Sequence, residues 1–386
     1  MIATKIFKEF FESERAGGIV LVLFTLIALA IANSPFGETY THGLHQVILG
    51  MSLEHWVNDG LMAIFFLLVG LELEREIYAG ELHSFRNALL PICAAIGGMI
   101  VPAAIHLSFT LGTQSQRGAG IPMATDIAFS LGVLSLLSNR VPFALKVFLT
   151  ALAIADDLGA VVVIAIFYTK SISIGYVVAT LAIFLGLCLF NRNNVDSLWI
   201  YLVGGVCIWF CLLHSGIHAT LAGVMLAFAL PFRDGSEHTP SSRLQHWLHF
   251  PVAFGVLPIF ALVNTCIPIG GDWIDGLKQS NSLGIFFGLA VGKPVGILLF
   301  CSVAVQLKFC TLPQGVTWSH LSGAAMLAGI GFTMSIFVSL LAFDGDEKMI
   351  NFSQIMVLVS SLAAAVAGVV WFLLFVPKET SRLDGR

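Results

Sequence analysis

Two adjacent aspartates lie in the middle of a long apolar run. Asp156 and Asp157 belong to Ala153-Ile-Ala-Asp-Asp-Leu-Gly159, and a charged group inside a membrane costs about 2.5–3.5 kcal/mol on insertion scales. Neighbouring positions on a helix are about 100° apart, so both carboxylates must open onto a common cavity. Carboxylate oxygens suit hard cations such as Na⁺ and Li⁺, and carboxylates at low dielectric also take up protons. The doublet therefore predicts a site that holds a cation or protons in turn, which is ion/proton exchange.

Two further charges accompany breaks in apolar runs. Asp126 directly follows Thr125 and comes shortly after Pro122, which is typical of a helix that stops and restarts with a new N-terminal cap. Lys293 stands in Gly292-Lys-Pro294, where glycine and proline weaken a helix. A buried lysine can balance a carboxylate and can shuttle a proton. The alternatives are a plain helix cap for Asp126 and a static counter-charge for Lys293.

The chain as a whole is too poor in charge to be a soluble protein. Of its 386 residues 11% are charged and 57% are apolar, with a mean hydropathy of +0.91, whereas a globular chain is about 25% charged. This balance excludes a disordered chain, a secreted disulfide scaffold and a cationic binder of nucleic acid. The seven cysteines form no Cys-x-x-Cys pair and are expected to be packing residues. A polytopic protein whose partner is the lipid bilayer remains.

Apolar runs long enough to cross a bilayer, about 20 residues each, recur along the sequence. We predict an all-α polytopic membrane protein with twelve transmembrane helices, at residues 17–32, 55–72, 87–111, 120–138, 142–168, 173–190, 197–213, 217–231, 249–266, 283–305, 319–343 and 352–376. Alternate connections carry thirteen Lys and Arg residues on one side and four on the other; Lys146 and Lys293, inside helices, complete the nineteen. This asymmetry places both termini in the cytoplasm.

Two of the predicted helices are interrupted at corresponding places. The fourth contains Pro122 and the eleventh contains Gly329, and they are the middle members of helices 3–5 and 10–12. Such a pair predicts inverted repeats, with the broken helices crossing at the midplane. Opposed half-helix ends carry partial charges, which Asp126 and Lys293 could offset. We assign the ion-translocating repeats to 87–168 and 283–376, and the interface and dimerisation helices to 17–72 and 173–266.

The residues taken together resemble the NhaA family of bacterial Na⁺/H⁺ antiporters. The resemblance runs from the first predicted helix to the last without large gaps. It rests on six motifs in order: Phe65-Phe-Leu-Leu-Val-Gly-Leu-Glu72, Ala124-Thr-Asp-Ile-Ala-Phe129, Ala153-Ile-Ala-Asp-Asp-Leu-Gly159, His218-Ala-Thr-Leu-Ala-Gly223, Gly292-Lys-Pro294 and Gly329-Ile-Gly-Phe-Thr-Met-Ser-Ile-Phe337.

This resemblance implies a transporter of the inner membrane rather than an enzyme, with no cofactor. It implies exchange of one cytoplasmic Na⁺ or Li⁺ for two incoming protons, which is electrogenic. Asp156 and Asp157 would bind the cation and the protons, with Asp157 the more direct ligand and Thr125 a further source of oxygen. Asp126 and Lys293 would compensate the opposed helix ends.

The resemblance also implies a cytoplasmic pH sensor and a dimer. The sensor would comprise Glu72, Arg75, Glu76, His246 and His249, with the two histidines placed before the ninth helix. Gln245 departs from the family pattern, because a glutamate is usual there and glutamine cannot titrate. Residues 33–54 match the segment that family members use as a periplasmic β-hairpin in a homodimer.

Three other functions are compatible with single features of the sequence. A proton-coupled carrier of another small solute would need a roomier site with aromatic and hydrogen-bonding groups. An intramembrane aspartyl protease would place its two aspartates on separate helices. A prenyl-transferring enzyme would need spaced Asp-rich motifs, and Asp156-Asp157-Leu-Gly-Ala lacks a third acid. Sodium/proton exchange explains the doublet and the broken helices together.

Overall fold

The computed structural model describes residues 2–80, 83, 85–137, 140–169, 172–233, 239–270 and 273–377, and they are mostly helical. In chain order the helices are α1 (Ile2–Ala32), α2 (Gly37–Leu44), α3 (Leu53–Ala79), α4 (Phe85–Thr110), α5 (Ile127–Leu136), α6 (Phe143–Phe167), α7 (Ile174–Arg192), α8 (Leu198–Leu213), α9 (Leu221–Ala229), α10 (Pro240–Asn264), α11 (Trp273–Leu277), α12 (Ser280–Gln306), α13 (Trp318–Ala328), α14 (Phe332–Ala342) and α15 (Glu347–Phe375). A 3₁₀ segment, Gln114–Met123, precedes α5.

Many of these helices are long and apolar enough to cross a membrane. Among the described residues seven helices qualify, or up to ten when each bent helix pair is taken as one span; α8 is a shorter apolar helix. A mostly helical architecture with several helices of membrane-spanning length, as expected from composition, is therefore present. The count of twelve stays a prediction, because α9 has nine residues and the bent pairs can be divided in two ways.

Several helices are longer in the structure than their predicted apolar runs, α10 and α3 among them. α10 begins at Pro240 instead of 249, so the prediction that His246 and His249 precede this helix is wrong. Thr239 caps it by accepting from Ser242 N at 3.3 Å, and a proline at the first position favours a helix start. α3 likewise continues beyond Glu72 to Ala79. The added turns of both helices contain polar residues, so a search for apolar runs does not include them.

α4 and α12 touch backbone to backbone at a pair of glycines. A Cβ added to Gly97 would lie 2.3 Å from the Gly296 carbonyl oxygen, and one added to Gly296 would lie 2.1 Å from that of Gly97. Small residues let membrane helices approach this closely. A Cβ on Gly98 would lie 3.7 Å from Lys293 Cε. The glycine contact therefore brings the buried lysine against α4.

A buried polar network ties the same two helices to α15. The His106 ring on α4 lies 3.0 Å, Nε2 to Oδ1, from Asn281 on α12, whose amide donates to Ser353 Oγ on α15 at 2.8 Å. His106 and Ser353 are fully buried, and Asn281 is almost so. Because buried polar groups cost free energy unless they are paired, this network holds the three helices in one arrangement.

The segment 33–54 contains a helix and a short hairpin. After α2, strands β1 (Val47–Ile48) and β2 (Met51–Ser52) pair antiparallel, with Val47 opposite Ser52. Leu49 and Gly50 connect them with φ of 53° and 88°, the left-handed geometry that a two-residue hairpin turn requires. The expected hairpin is present in this segment.

Replacing Gly296 by alanine should lower stability, because the two backbones would have to move apart. We expect a loss of about 2 kcal/mol or more, the usual size of an overpacking defect, measured as a lower Tm in detergent. Gly186→Ala in α7 is the matched control, since a Cβ there meets nothing within 4 Å. Equal Tm values for the two variants would show that the α4–α12 contact does not limit stability.

Candidate ion-binding site

The site is built where two broken spans meet. The first broken span is the 3₁₀ segment with α5, bent by 42°, and the second is α13 with α14, bent by 44°. At the breaks Asp126 N donates to Ile330 O at 2.7 Å, and Thr125 Oγ1 donates to Ala328 O at 3.1 Å. Each break thus supplies partners for backbone groups that the other has released, as an apolar surrounding demands.

Asp126 closes the N-terminal ends of both broken helices. Its Oδ1 accepts from Phe129 N of α5 at 2.9 Å, and its Oδ2 accepts from Thr333 N of α14 at 3.1 Å and from Thr333 Oγ1 at 2.5 Å. The carboxylate is buried, and a helix N-terminus carries a partial positive charge. One negative side chain therefore faces two positive helix ends.

Lys293 lies at the opposite kind of helix end. Its Nζ donates to the carbonyl oxygen of Met123, the last residue of the 3₁₀ segment, and lies 2.5 Å from Asp156 Oδ2. The lysine is fully buried and directly follows a π-helical turn, Gly288–Gly292. The weakened helix expected around Gly292 and Pro294 is confirmed by that turn. Lys293 joins a negative helix end on one span to an aspartate on another.

The two central aspartates have different surroundings. Asp156 Oδ2 accepts from Thr125 Oγ1 at 2.7 Å in addition to its pairing with Lys293. Within the described part of the chain, Asp156 Oδ1 and Asp157 Oδ1 have no hydrogen-bond partner. Both residues are 1% exposed. Buried oxygens are normally paired, so these two are positions at which a proton or a cation would be stabilised.

The charge balance of the site is negative. Three buried carboxylates share the site with the buried ammonium group of Lys293; they belong to Asp126, Asp156 and Asp157. The charge of Glu72 also acts on Asp157. An excess of buried carboxylate is costly unless protons or cations offset it. Among the described residues no three His, Cys, Asp or Glu side chains are grouped to hold a metal ion. A cation held by Asp156 and Asp157 would therefore need further oxygens from Thr125, the backbone or water.

The predicted sensor residues lie together beside this site. Glu72 and His249 line one cavity of about 50 Å³, whose walls include Ile127 and Ala128 at the start of α5. Arg75 Nη2 is 3.6 Å from Glu76 Oε1. Arg75 and the exposed His246 both act electrostatically on His249. The cluster thus reaches from the ends of α3 and α10 to the first broken span.

Two contributions to this region could not be identified from the sequence. Thr333 belongs to an interrupted run in the sequence, but its hydrogen bond to Asp126 forms only because the two broken spans meet. Glu74 is one of several charged residues that follow Glu72 in the sequence, and nothing local distinguishes it from them. In the structure it is buried and accepts a hydrogen bond from Ser241.

The whole chain is similar to known transport proteins. The family profile described as Na⁺/H⁺ antiporter 1 matches residues 8–372. Proteins named Na(+)/H(+) antiporter NhaA are 55% identical over 371 residues in Cytophaga hutchinsonii, 56% over 375 in Dechloromonas aromatica and 47% over 377 in Vibrio campbellii. Each alignment covers 96–97% of this chain and 96% of the relative.

A sodium proton antiporter structure from Methanocaldococcus jannaschii is a more distant likeness. It has a TM-score of 0.49 and 14% sequence identity, with 97% of this chain and 99% of that chain covered. The family is shown by the match of the profile over nearly the full chain and by the high identity to the bacterial relatives. The chain belongs to the Na⁺/H⁺ antiporter 1 family, the family of the NhaA antiporters.

Proposed function

We propose that the protein is a secondary active Na⁺(Li⁺)/H⁺ antiporter of the bacterial inner membrane, which extrudes sodium in exchange for entering protons. The observation that carries this proposal is the buried Asp156–Asp157 doublet at the meeting of the broken spans. One aspartate is paired with Lys293, and each has an oxygen for which the described residues supply no hydrogen-bond partner. The family to which the chain belongs supports the choice of ions.

Competition between protons and a cation for the same oxygens couples the two fluxes. When both carboxylates are ionised they repel each other, so the pair binds a cation or takes up protons. Two titrating groups for one cation favour two protons per Na⁺, which makes the exchange electrogenic and sensitive to the membrane potential. Alternating access would expose the doublet to one side of the membrane at a time.

The membrane arrangement proposed here follows the sequence pattern. The charge asymmetry of the connections supports twelve transmembrane helices with both termini in the cytoplasm. The two interrupted helices support inverted repeats over 87–168 and 283–376. Glu72, Arg75, Glu76, His246 and His249 would adjust activity to cytoplasmic pH. The cavity that Glu72 and His249 line supports this role, because it borders the start of α5, which Asp126 caps.

Asp157→Asn should abolish sodium-dependent proton flux while the protein still folds and inserts. An uncharged amide cannot take up the proton that the cation displaces, and a lost carboxylate ligand costs on the order of 3 kcal/mol, about a hundredfold in affinity. The measurement is proton flux against pH in proteoliposomes with Na⁺, Li⁺ and K⁺. Asp275→Asn, at an exposed surface pair with Lys278, is the control and should transport normally.

Retained sodium-dependent flux in Asp157→Asn would place the binding site elsewhere. Absence of sodium flux in the unmodified protein would contradict the antiporter assignment itself and favour the alternative, a proton-coupled carrier of another small solute. The same vesicles with radiolabelled sodium separate these outcomes, because an imposed proton gradient drives sodium movement only in an antiporter.

Lys293→Ala should destabilise the protein strongly. Removing one partner of a buried ion pair leaves the other charge uncompensated, which costs about 3–5 kcal/mol, measured by thermal unfolding in detergent. Lys278→Ala breaks the exposed pair with Asp275 and should cost about 0–1 kcal/mol. Adding Asp156→Asn to Lys293→Ala should restore part of the loss. Simple additivity of the two changes would mean that the pair is not coupled.

We further propose that the segment 33–54 forms a homodimer contact through its hairpin. Val47 is 71% exposed and Ile48 is 49% exposed on a strand whose second edge pairs with no other strand of the described residues, and such edges pair readily with another chain. Val47→Asp with Ile48→Asp should shift the protein to monomers in light scattering of detergent-solubilised samples. A dimer of unchanged stability would show that the contact lies elsewhere.

A further inference from the structure

Glu74 is a buried carboxylate that the ion-binding mechanism does not use. It lies on α3, two residues beyond Glu72, and is 4% exposed. Its Oε2 accepts a hydrogen bond from Ser241 Oγ at 2.9 Å, and Ser241 is itself 1% exposed. A carboxylate is seldom buried without pairing or a specific task. This one connects two helices that otherwise carry separate members of the sensor cluster.

The contact lies at the first turn of α10. Ser241 is the second residue of that helix, whose start is capped by Thr239. One turn further along α3, the Tyr78 ring stacks on Phe232 at 5.4 Å, next to Pro231, whose carbonyl oxygen accepts from Ser241 N at 3.5 Å. The end of α3 and the start of α10 are therefore packed together around Glu74.

The charged and titratable groups on the elements that contact α3 can be named from the described part of the chain. α9, which packs on α3, has none. Arg243, His246 and His249 lie on α10, and Lys146, Asp156 and Asp157 lie on α6. Arg233, next to Phe232, pairs with Asp196 at 2.6 Å. α3 itself carries Glu54, His55, Asp59, Glu72, Arg75, Glu76 and Tyr78 besides Glu74. Gln245, one turn beyond Ser241, cannot titrate. Glu74 thus bonds directly to α10.

We propose that Glu74 is a positioning residue for the pH response, whose ionised carboxylate holds the first turn of α10 against α3 through Ser241. This rests on the antiport function proposed above. A hydrogen bond to an ionised carboxylate is roughly twice as strong as one between neutral groups, and a negative charge at a helix N-terminus is stabilised further. Protonation of Glu74 therefore loosens the contact.

Loosening at this point reaches the ion site through α10. His249, two turns beyond Ser241, lines the same cavity as Glu72, and Ile127 and Ala128 of α5 form part of the wall. Cation exchange needs ionised aspartates, so the working form of the protein is the more alkaline one. In that form Glu74 is also ionised, and the cavity keeps its shape.

The test compares Glu74→Gln with the unmodified protein across pH. Glutamine keeps an oxygen that can accept from Ser241 but is permanently neutral, so the pH of half-maximal sodium-dependent flux should move in the alkaline direction by about half a unit or more. Glu347→Gln, at an exposed helix start, is the matched control and should leave the profile unchanged. A Glu74→Gln profile equal to that of the control would overturn the proposal.

A second measurement separates this proposal from the antiport function. Amide hydrogen exchange of residues 240–251, corrected for intrinsic rates, should quicken as pH falls in the unmodified protein and lose that dependence in Glu74→Gln. Exchange that depends equally on pH in both proteins would refute the role of Glu74 even if no sodium flux were found.

Ser241→Ala tests the same contact if Glu74→Gln fails to fold. It removes the hydrogen-bond donor and leaves the acid, so it should also shift the flux profile in the alkaline direction. Glu74→Asp keeps a titratable group and should restore part of the response. A Ser241→Ala profile equal to that of the unmodified protein would overturn the proposal.

Discussion

A helix that breaks inside an apolar protein releases backbone groups that only the protein can satisfy, and here each broken span satisfies the other. The Asp126 amide donates to Ile330 O, and the Asp126 carboxylate accepts from Phe129 N and Thr333 N. An unsatisfied group in such surroundings costs several kcal/mol. The two breaks therefore stabilise each other only when they meet, and every other feature of the site depends on that meeting.

The distribution of charge follows from this constraint. The positive N-terminal ends of α5 and α14 face Asp126, and the negative end of the 3₁₀ segment faces Lys293. Lys293 also pairs with Asp156, so the helix ends and the ion-binding carboxylates belong to one electrostatic system. A cation or proton that changes the charge of the doublet therefore acts directly on the residues that hold the broken spans together. This coupling is a physical route from ion binding to a change of shape.

The helices around the site fix where these charges can be. Gly97 and Gly296 let α4 and α12 approach closely enough to place Lys293 at depth, and the His106–Asn281–Ser353 network prevents the same helices from sliding. α10 is held to α3 by polar contacts near its two ends, Ser241 with Glu74 and Asn264 with Asn58, and by apolar packing. The core of the site is thus held by a connected set of buried polar contacts, whereas the contacts described between α10 and α3 lie near the two ends of α10. A contact between α10 and α3 can therefore change with pH without breaking the contacts that hold the ion-binding site together.

Sequence by itself determined the class of protein, the doublet, the two breaks and the family. A charge inside an apolar run costs so much free energy that the few such residues can be recognised directly as candidates for function. Asp126 as a cap and Lys293 in a weakened helix also followed from local chemistry. Tertiary structure decided which groups meet: Thr333 on Asp126, Met123 O on Lys293, and Ser241 on Glu74. It also decided that α10 starts at Pro240, where polar residues conceal the helix. These pairings join residues far apart in the chain, and they are set by how whole helices pack, which no local pattern of residues encodes.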